Sequence, residues 1–282
     1  MNGAAVRDRV VRVAGVRSPV LEAGPPSAEE AVVFVHGNPG SSRDWEALVA
    51  RVGEFGRAVA LDMPGYGQAD KPNDFDYTVA GYARHLDGCL AEVGISRVHL
   101  VMHDFGGPWG LAWAAAHPHA FASAALMNTG IWPDYRWHVY ARIWRTPILG
   151  ELLMAAVTRR GFHFVVQYGC PRRLPRHVVD RWYDDHDWRT RRAILKLYRA
   201  TGDPSRLGYE QASALRPLGR PALVIWGAHD RYLPLWLAER QRAAFPGARV
   251  VVLADSGHFP FADDPVGVQN ALLPFVREHL VG

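Results

Sequence analysis

Three positions stand out by residue type and by where they fall along the chain. Asp104 follows Leu100-Val101-Met102-His103 and precedes Phe105, Gly106 and Gly107, so a buried strand passes through one residue directly into a helix. At such a turn the side chain stands at the top of the sheet, facing the free N–H groups and positive end of the helix, which favour an anion. Taken alone, Asp104 reads more readily as an aspartate that merely caps a helix. Two further segments change that reading. Asp230 closes Trp226-Gly227-Ala228-His229-Asp230 after a second apolar run, and His258 lies in Asp255-Ser256-Gly257-His258-Phe259-Pro260 after a third. The carboxyl ends of strands are where sites in α/β sheets lie. A nucleophile, an acid and a histidine in this order can perform nucleophilic catalysis, with Asp230 orienting the imidazole of His258. Val35-His36-Gly37-Asn38-Pro39-Gly40 follows a fourth apolar run. There Asn38 is placed to offer a backbone N–H that, with the N–H of Phe105, would make an oxyanion hole.

An aspartate in the nucleophile position changes the chemistry. A serine needs a base to remove its proton and forms an acyl-enzyme. A carboxylate is already ionised near pH 7, and attack on a carbonyl would give a high-energy anhydride. It can instead displace a leaving group at an sp³ carbon, giving an alkyl-enzyme ester whose carbonyl is then attacked by water activated by His258.

The elements that must hold these residues alternate. Segments 9–16 and 17–22 read as a hairpin. Segments 31–36, 57–61, 97–102 and 123–128 read as buried strands. Helical stretches at 42–52 (with Ser41 as its cap), 79–93 and 106–117 lie between them. The rhythm returns as strand 221–226, helix 235–245, strand 249–253 and closing helix 266–280. Strand alternating with helix predicts an α/β fold with a mostly parallel sheet covered on both faces. Between 130 and 213 no buried strand is evident, and prolines 147, 171, 175 and 204 separate helical stretches. This part holds tryptophans 132, 137, 144, 182 and 188 and tyrosines 135, 140, 168, 183, 198 and 209. The expected organisation is a core in two parts, 1–130 and 214–282, with a helical cap at 131–213.

Composition narrows the function. The chain has 282 residues, 49% hydrophobic and 21% charged, which suits a globular protein with a substantial core. A net charge of +4, without a clustered patch, gives no reason to expect a nucleic-acid partner. Two lysines stand against 30 arginines, the mark of a GC-rich bacterial genome rather than of chemistry. The two cysteines cannot build a disulfide framework. No leader-like apolar run opens the chain and no segment is long enough to span a bilayer, so a cytoplasmic protein with no membrane partner is expected. No metal-ligand cluster and no phosphate or dinucleotide loop is found, so neither a metal nor a cofactor is implied. Nothing in the sequence bears on oligomeric state.

The motifs HGNPG (36–40), DMPGYGQADKP (62–72), HDFGG (103–107), WGAHD (226–230) and SGHFP (256–260) together resemble the α/β-hydrolase superfamily. More narrowly, they resemble its aspartate-nucleophile branch of epoxide hydrolases and haloalkane dehalogenases. The resemblance implies catalysis by Asp104, Asp230 and His258, with Asn38 and Phe105 at the oxyanion hole. Two positions depart from the pattern. Met102 stands where the elbow commonly has a small residue, which predicts a looser turn. Phe105 stands where haloalkane dehalogenases have a tryptophan whose indole N–H holds the halide. Leu197-Tyr198-Arg199, in a helical stretch of the insertion, matches the place where epoxide hydrolases carry a ring-opening Tyr-Arg pair. The implied activity is opening of a hydrophobic or aromatic epoxide, a small-molecule substrate, to a diol. A second oxygen donor would come from Tyr135, Tyr140, Tyr168 or a tryptophan of the insertion. The alternatives are a haloalkane dehalogenase with an atypical halide site and a catalytically silent ligand-binding member.

Overall fold

Leu100 and Met102 point to one side of their strand and Val101 to the other, and all three are buried. Such two-sided burial requires helices on both faces, and the fold supplies them. In a computed structural model of the chain, which describes residues 3–280, eight strands form one sheet: β1 (Arg7–Val13), β2 (Val16–Ala23), β3 (Glu30–Val35), β4 (Arg57–Leu61), β5 (Arg97–His103), β6 (Phe121–Met127), β7 (Ala222–Gly227) and β8 (Arg249–Leu253). Their order is β1-β2-β4-β3-β5-β6-β7-β8. The first two strands join antiparallel, and every pairing from β4 through β3 to β8 is parallel. β4, β6 and β7 are buried along their whole length, as expected of strands covered on both faces.

One face packs against α2 (Val79–Val93) and α3 (Gly106–Ala116), through Leu86, Leu90, Trp109, Leu100 and Met102 among others. The other packs against α1 (Glu46–Val52) and the closing helix, through Val49, Val101, Leu272 and Phe275. The expected hairpin is present, turning at Ala14 and Gly15, both with positive φ. Segment 42–52 is not one helix: a 3₁₀ turn, Ser42–Trp45, precedes α1. Ser41 is the N-cap of that turn, as expected, and its backbone N–H donates to Asp44 Oδ2 at 2.9 Å.

Between β6 and β7 run α4 (Val139–Arg145), α5 (Leu149–Ala155), α6 (Arg159–Tyr168), α7 (Arg176–Asp185), α8 (Trp188–Ala200) and α9 (Pro204–Leu215). They sit over the carboxyl end of the sheet. The buried side chain of Asp44 ties them down: its Oδ1 accepts from Trp182 Nε1 at 2.8 Å and pairs with Arg181, both in α7. After β7 the chain forms α10 (Trp236–Arg240), the short α11 (Pro260–Asp263) and α12 (Pro265–His279). Among the described residues no helix is long and apolar enough to cross a membrane.

Candidate active site

The turn from β5 into α3 places Asp104 in the left-handed region, at φ +47°. Backbone in that region strains any residue with a Cβ, so the glycines around it have a steric purpose. A Cβ on Gly37 would lie 2.4 Å from the Cβ of Asp104, and one on Gly106 would lie 2.3 Å from the carbonyl oxygen of Val35. Met102 does not loosen this turn, contrary to expectation. Its Sδ occupies the space where a Cβ of Gly110 would fall, 2.5 Å away, so a glycine in α3 makes room for the larger side chain.

Asp104, Asp230 and His258 converge. His258 Nδ1 lies 2.7 Å from Asp230 Oδ2, and its Nε2 lies 3.7 Å from Asp104 Oδ2. Asp230 Oδ1 accepts from the backbone N–H groups of Tyr232 and Leu233 at 2.7 and 3.0 Å. Burial disfavours the imidazolium of His258, but the carboxylates of Asp230 and Asp104 outweigh it and raise the ring to about 10. Burial likewise works against the Asp104 carboxylate, yet His258, His103 and the N–H of Asn38 hold it below the ordinary aspartate range. Both shifts favour the charged forms, an Asp104 carboxylate facing a His258 imidazolium.

Asn38 donates its backbone N–H to Asp104 Oδ1 at 2.7 Å, and Phe105 directly follows the aspartate at the start of α3. Oδ1 is thus held by the loop after β3, leaving Oδ2 on the side of His258. The Phe105 ring is buried against Tyr198, with ring centroids 4.8 Å apart. It brings no hydrogen-bond donor to the site. His36 and His103 serve local structure, as their positions beside the motifs suggested. His36 bonds to Gly37 O and accepts from Met63 N, and His103 Nε2 donates to the carbonyl of His258.

An apolar cavity of about 110 Å³ opens above Asp104 and His258, between the sheet and the inserted helices. Tyr198, buried in α8, reaches it, its oxygen 3.5 Å from Asn38 Nδ2. Its neighbour Arg199 does not. That guanidinium turns away to Glu151, with contacts of 2.7 and 2.8 Å, so no Tyr-Arg pair faces the cavity. The adjacent side chains of a helix point about 100° apart, and only one of the two can look inward.

Among the tyrosines that could supply a second donor, Tyr135 gives its O–H to Tyr232 O at 3.0 Å, and Tyr168 is exposed beneath Arg231. Tyr140 lines the cavity. A better-placed group was missing from the sequence reading. His138 caps α4 by accepting the Ala141 N–H on Nδ1 at 3.2 Å. That bond puts the proton of the neutral ring on Nε2, and His138 lines the same cavity. Burial outweighs the pull of Asp104 and holds His138 down to about 4, so it is neutral at pH 7 and still a donor. Only its position as helix cap, one residue before Val139, hinted at it. Asn128 was also missed: at φ +43° after β6, it donates Nδ2 to Asp230 Oδ2 at 2.7 Å and accepts the Gly227 N–H at 2.9 Å. Among the described residues no group of side chains could hold a metal ion.

A sheet of this order thus carries a residue of positive φ after β5 and an acid–histidine pair after β7 and β8. A sequence model described as the alpha/beta hydrolase fold matches residues 30–265. The chain belongs to the alpha/beta hydrolase fold family, and hydrolase activity is what the family and its relatives support. It is 28% identical to the cis-3-alkyl-4-alkyloxetan-2-one decarboxylase of Xanthomonas campestris, over 94% of this chain and 93% of that protein. It is 37% identical to a haloalkane dehalogenase of Mesorhizobium japonicum over 48% of this chain and 45% of the other. Its fold matches that of a loop variant of the haloalkane dehalogenase DbeA of Bradyrhizobium elkanii with a TM-score of 0.83, at 23% identity and over 98% of both chains.

Proposed function

We propose that this chain is a cofactor-independent epoxide hydrolase using Asp104 as nucleophile. The observation that carries the reading is that Tyr198 and His138 both line the cavity above Asp104, where the O–H of the one and the Nε2–H of the other would serve as donors. An epoxide opens to an alkoxide and needs such donors, whereas a halide leaves without a proton. Phe105 offers no side-chain N–H for a halide.

In the first step Asp104 Oδ2 attacks a ring carbon, the C–O bond breaks, and its electron pair goes to the ring oxygen. Tyr198 and His138 stabilise that oxygen as it takes up a proton. The aspartate is now an ester and has lost its charge, so one of the two carboxylates that held the proton on His258 is gone. His258 becomes more acidic and releases a proton, matching the one gained by the alkoxide. Neutral His258, oriented by Asp230 and through it by Asn128, then takes a proton from water. The resulting hydroxide adds to the ester carbonyl. The oxyanion forms where Oδ1 already sits, against the N–H groups of Asn38 and Phe105, donors of a kind worth about 10²–10³ in rate each. Collapse breaks the bond between the ester carbon and Oδ2, the leaving alkoxide takes the proton from His258 to become the second hydroxyl of the diol, and the new Asp104 carboxyl ionises, returning a proton to His258. The small apolar cavity suits a hydrophobic substrate, and the free, buried Cys89 and Cys170 suit a reducing cytoplasm.

A second reading rests on the relative from Xanthomonas, which matches nearly end to end. An oxetan-2-one is also a strained oxygen ring, and the same carboxylate and donors would open it, leaving a carboxylate rather than an alkoxide. The deciding experiment presents purified enzyme with an epoxide, an oxetan-2-one and a haloalkane of matched chain length. Diol from the epoxide is expected. Alkene and carbon dioxide from the oxetanone without any diol would transfer the assignment to the second reading, and halide release alone would transfer it to a dehalogenase.

A further inference from the structure

The roof of the cavity is apolar on both sides. Leu153 and Met154 of α5 and Phe162 and Val165 of α6 line the cavity from above. On the opposite side of α5, Ile148, Leu149, Leu152, Ala155 and Ala156 are all exposed. Their spacing of i, i+1, i+4, i+7 and i+8 makes one continuous stripe along the helix. Ile148, Leu149 and Leu152 are 74%, 49% and 63% exposed, and Phe164 of α6 is 70% exposed. Ile148 is held at φ +69°, a region that a β-branched residue rarely adopts. Core packing does not require any of these side chains where they are.

The inserted helices on either side of α5 in the chain carry basic residues. A surface cleft of about 950 Å³ runs along α6 and α7, with Phe164 in its wall beside Arg159, Arg160, Arg173 and Arg176. Arg159 and Arg176 share Asp180, while Arg160 and Arg173 have no carboxylate partner among the described residues. Arg142, exposed in α4, also lacks one. The acidic residue beside the stripe, Glu151, is already paired with Arg199.

We propose that this outer face of the inserted helices is a docking surface for an anionic lipid bilayer. Leu152, Ile148 and Phe164 would enter the boundary between headgroups and acyl chains, and Arg142, Arg160 and Arg173 would meet the lipid phosphates. An apolar stripe flanked by unpaired arginines is the arrangement that binds such an interface, and it needs no membrane-spanning segment. Charge argues against a second copy of this chain as the occupant, because a two-fold contact would set the arginine-flanked surface against its own image. The chain's pI of about 9.2 adds to that repulsion. The surface does not depend on which leaving group the site accepts, so it stands or falls apart from the epoxide reading.

The test is co-sedimentation of the full chain with vesicles of phosphatidylcholine alone and of phosphatidylcholine mixed with phosphatidylglycerol. Binding is expected to the mixed vesicles, to weaken with added salt, and to be much weaker on phosphatidylcholine alone. Leu152→Glu should lower the bound fraction about tenfold or more, since it removes one fully inserted side chain and adds a like charge. Arg160→Glu with Arg173→Glu should do the same, and circular dichroism should show both variants folded. Absence of sedimentation with mixed vesicles overturns the proposal, as does equal binding by Leu152→Glu. A dimer in light scattering that Leu152→Glu dissociates would give the surface to a second copy instead.

Discussion

His103 Nε2 donates a hydrogen bond of 2.7 Å to the backbone carbonyl of His258, tying the residue before the nucleophile to the residue that would activate water. The backbone N–H of His258 in turn donates to Gly169 O at 2.9 Å, in the segment just after α6. The histidine loop is thus held from the sheet on one side and from the inserted helices on the other, so its position depends on both parts of the molecule.

Asp104→Ala should abolish turnover and leave the fold intact. In a single turnover of the wild-type enzyme in ¹⁸O-water, the label should appear in Asp104, because water attacks the ester carbonyl. Label found only in the product would mean direct attack by water on the substrate.

His258→Ala should still be alkylated but should not hydrolyse the ester. Mass spectrometry after exposure to substrate is expected to show the adduct on the peptide containing Asp104. Asp104 of this variant lacks its imidazolium partner, so alkylation is expected to be slower than in the wild type. Recovery of unmodified protein with a substrate that the wild type turns over would sink this division of labour.

Tyr198→Phe and His138→Phe each remove one donor aimed at the developing alkoxide. Loss of a preorganised donor of this kind costs about 10²–10³ in rate. Alkyl-enzyme formation from an epoxide should fall by about 10² in each single variant, less where the remaining donor compensates, and further in the double variant. Wild-type rates in both single variants would make these residues packing groups of the cavity.

Stability should be greatest near pH 6.5 and fall on either side. His258 is raised to about 10 in the fold, where burial opposes the charge but Asp230 and Asp104 prevail. A raised group contributes fully below its unfolded value, about 6.5, and loses that contribution as pH rises toward 10. His85, His103 and His138 are held down to about 4, chiefly by burial. Their contribution is present above about 6.5 and is lost as pH falls toward 4, because the unfolded chain takes up protons first. Denaturant titrations across this range should show both limbs, and His258→Gln should flatten the alkaline one. An unchanged alkaline limb in that variant would count against the ion pair with Asp104.

Residues and their neighbours along the chain determined which segments form the buried strands, that the sheet is mostly parallel, and that Asp104, Asp230 and His258 follow strands. Each of those signals is local: an apolar run, a glycine that permits a sharp turn, a charged or titratable residue at its tip. The tertiary structure decided which side chains of the inserted helices reach the cavity. Tyr198 and Asn38 are 160 positions apart, and Asn128 reaches an acid 102 positions away. A helix shows its period in sequence but not which face it turns toward the sheet when, as in α5, apolar residues lie on both sides. For that reason Tyr198 and Arg199 read as a pair and part company in the fold, and His138 read as nothing. Its role as a donor follows from one backbone N–H, that of Ala141, which occupies Nδ1, and from the burial that keeps the ring neutral.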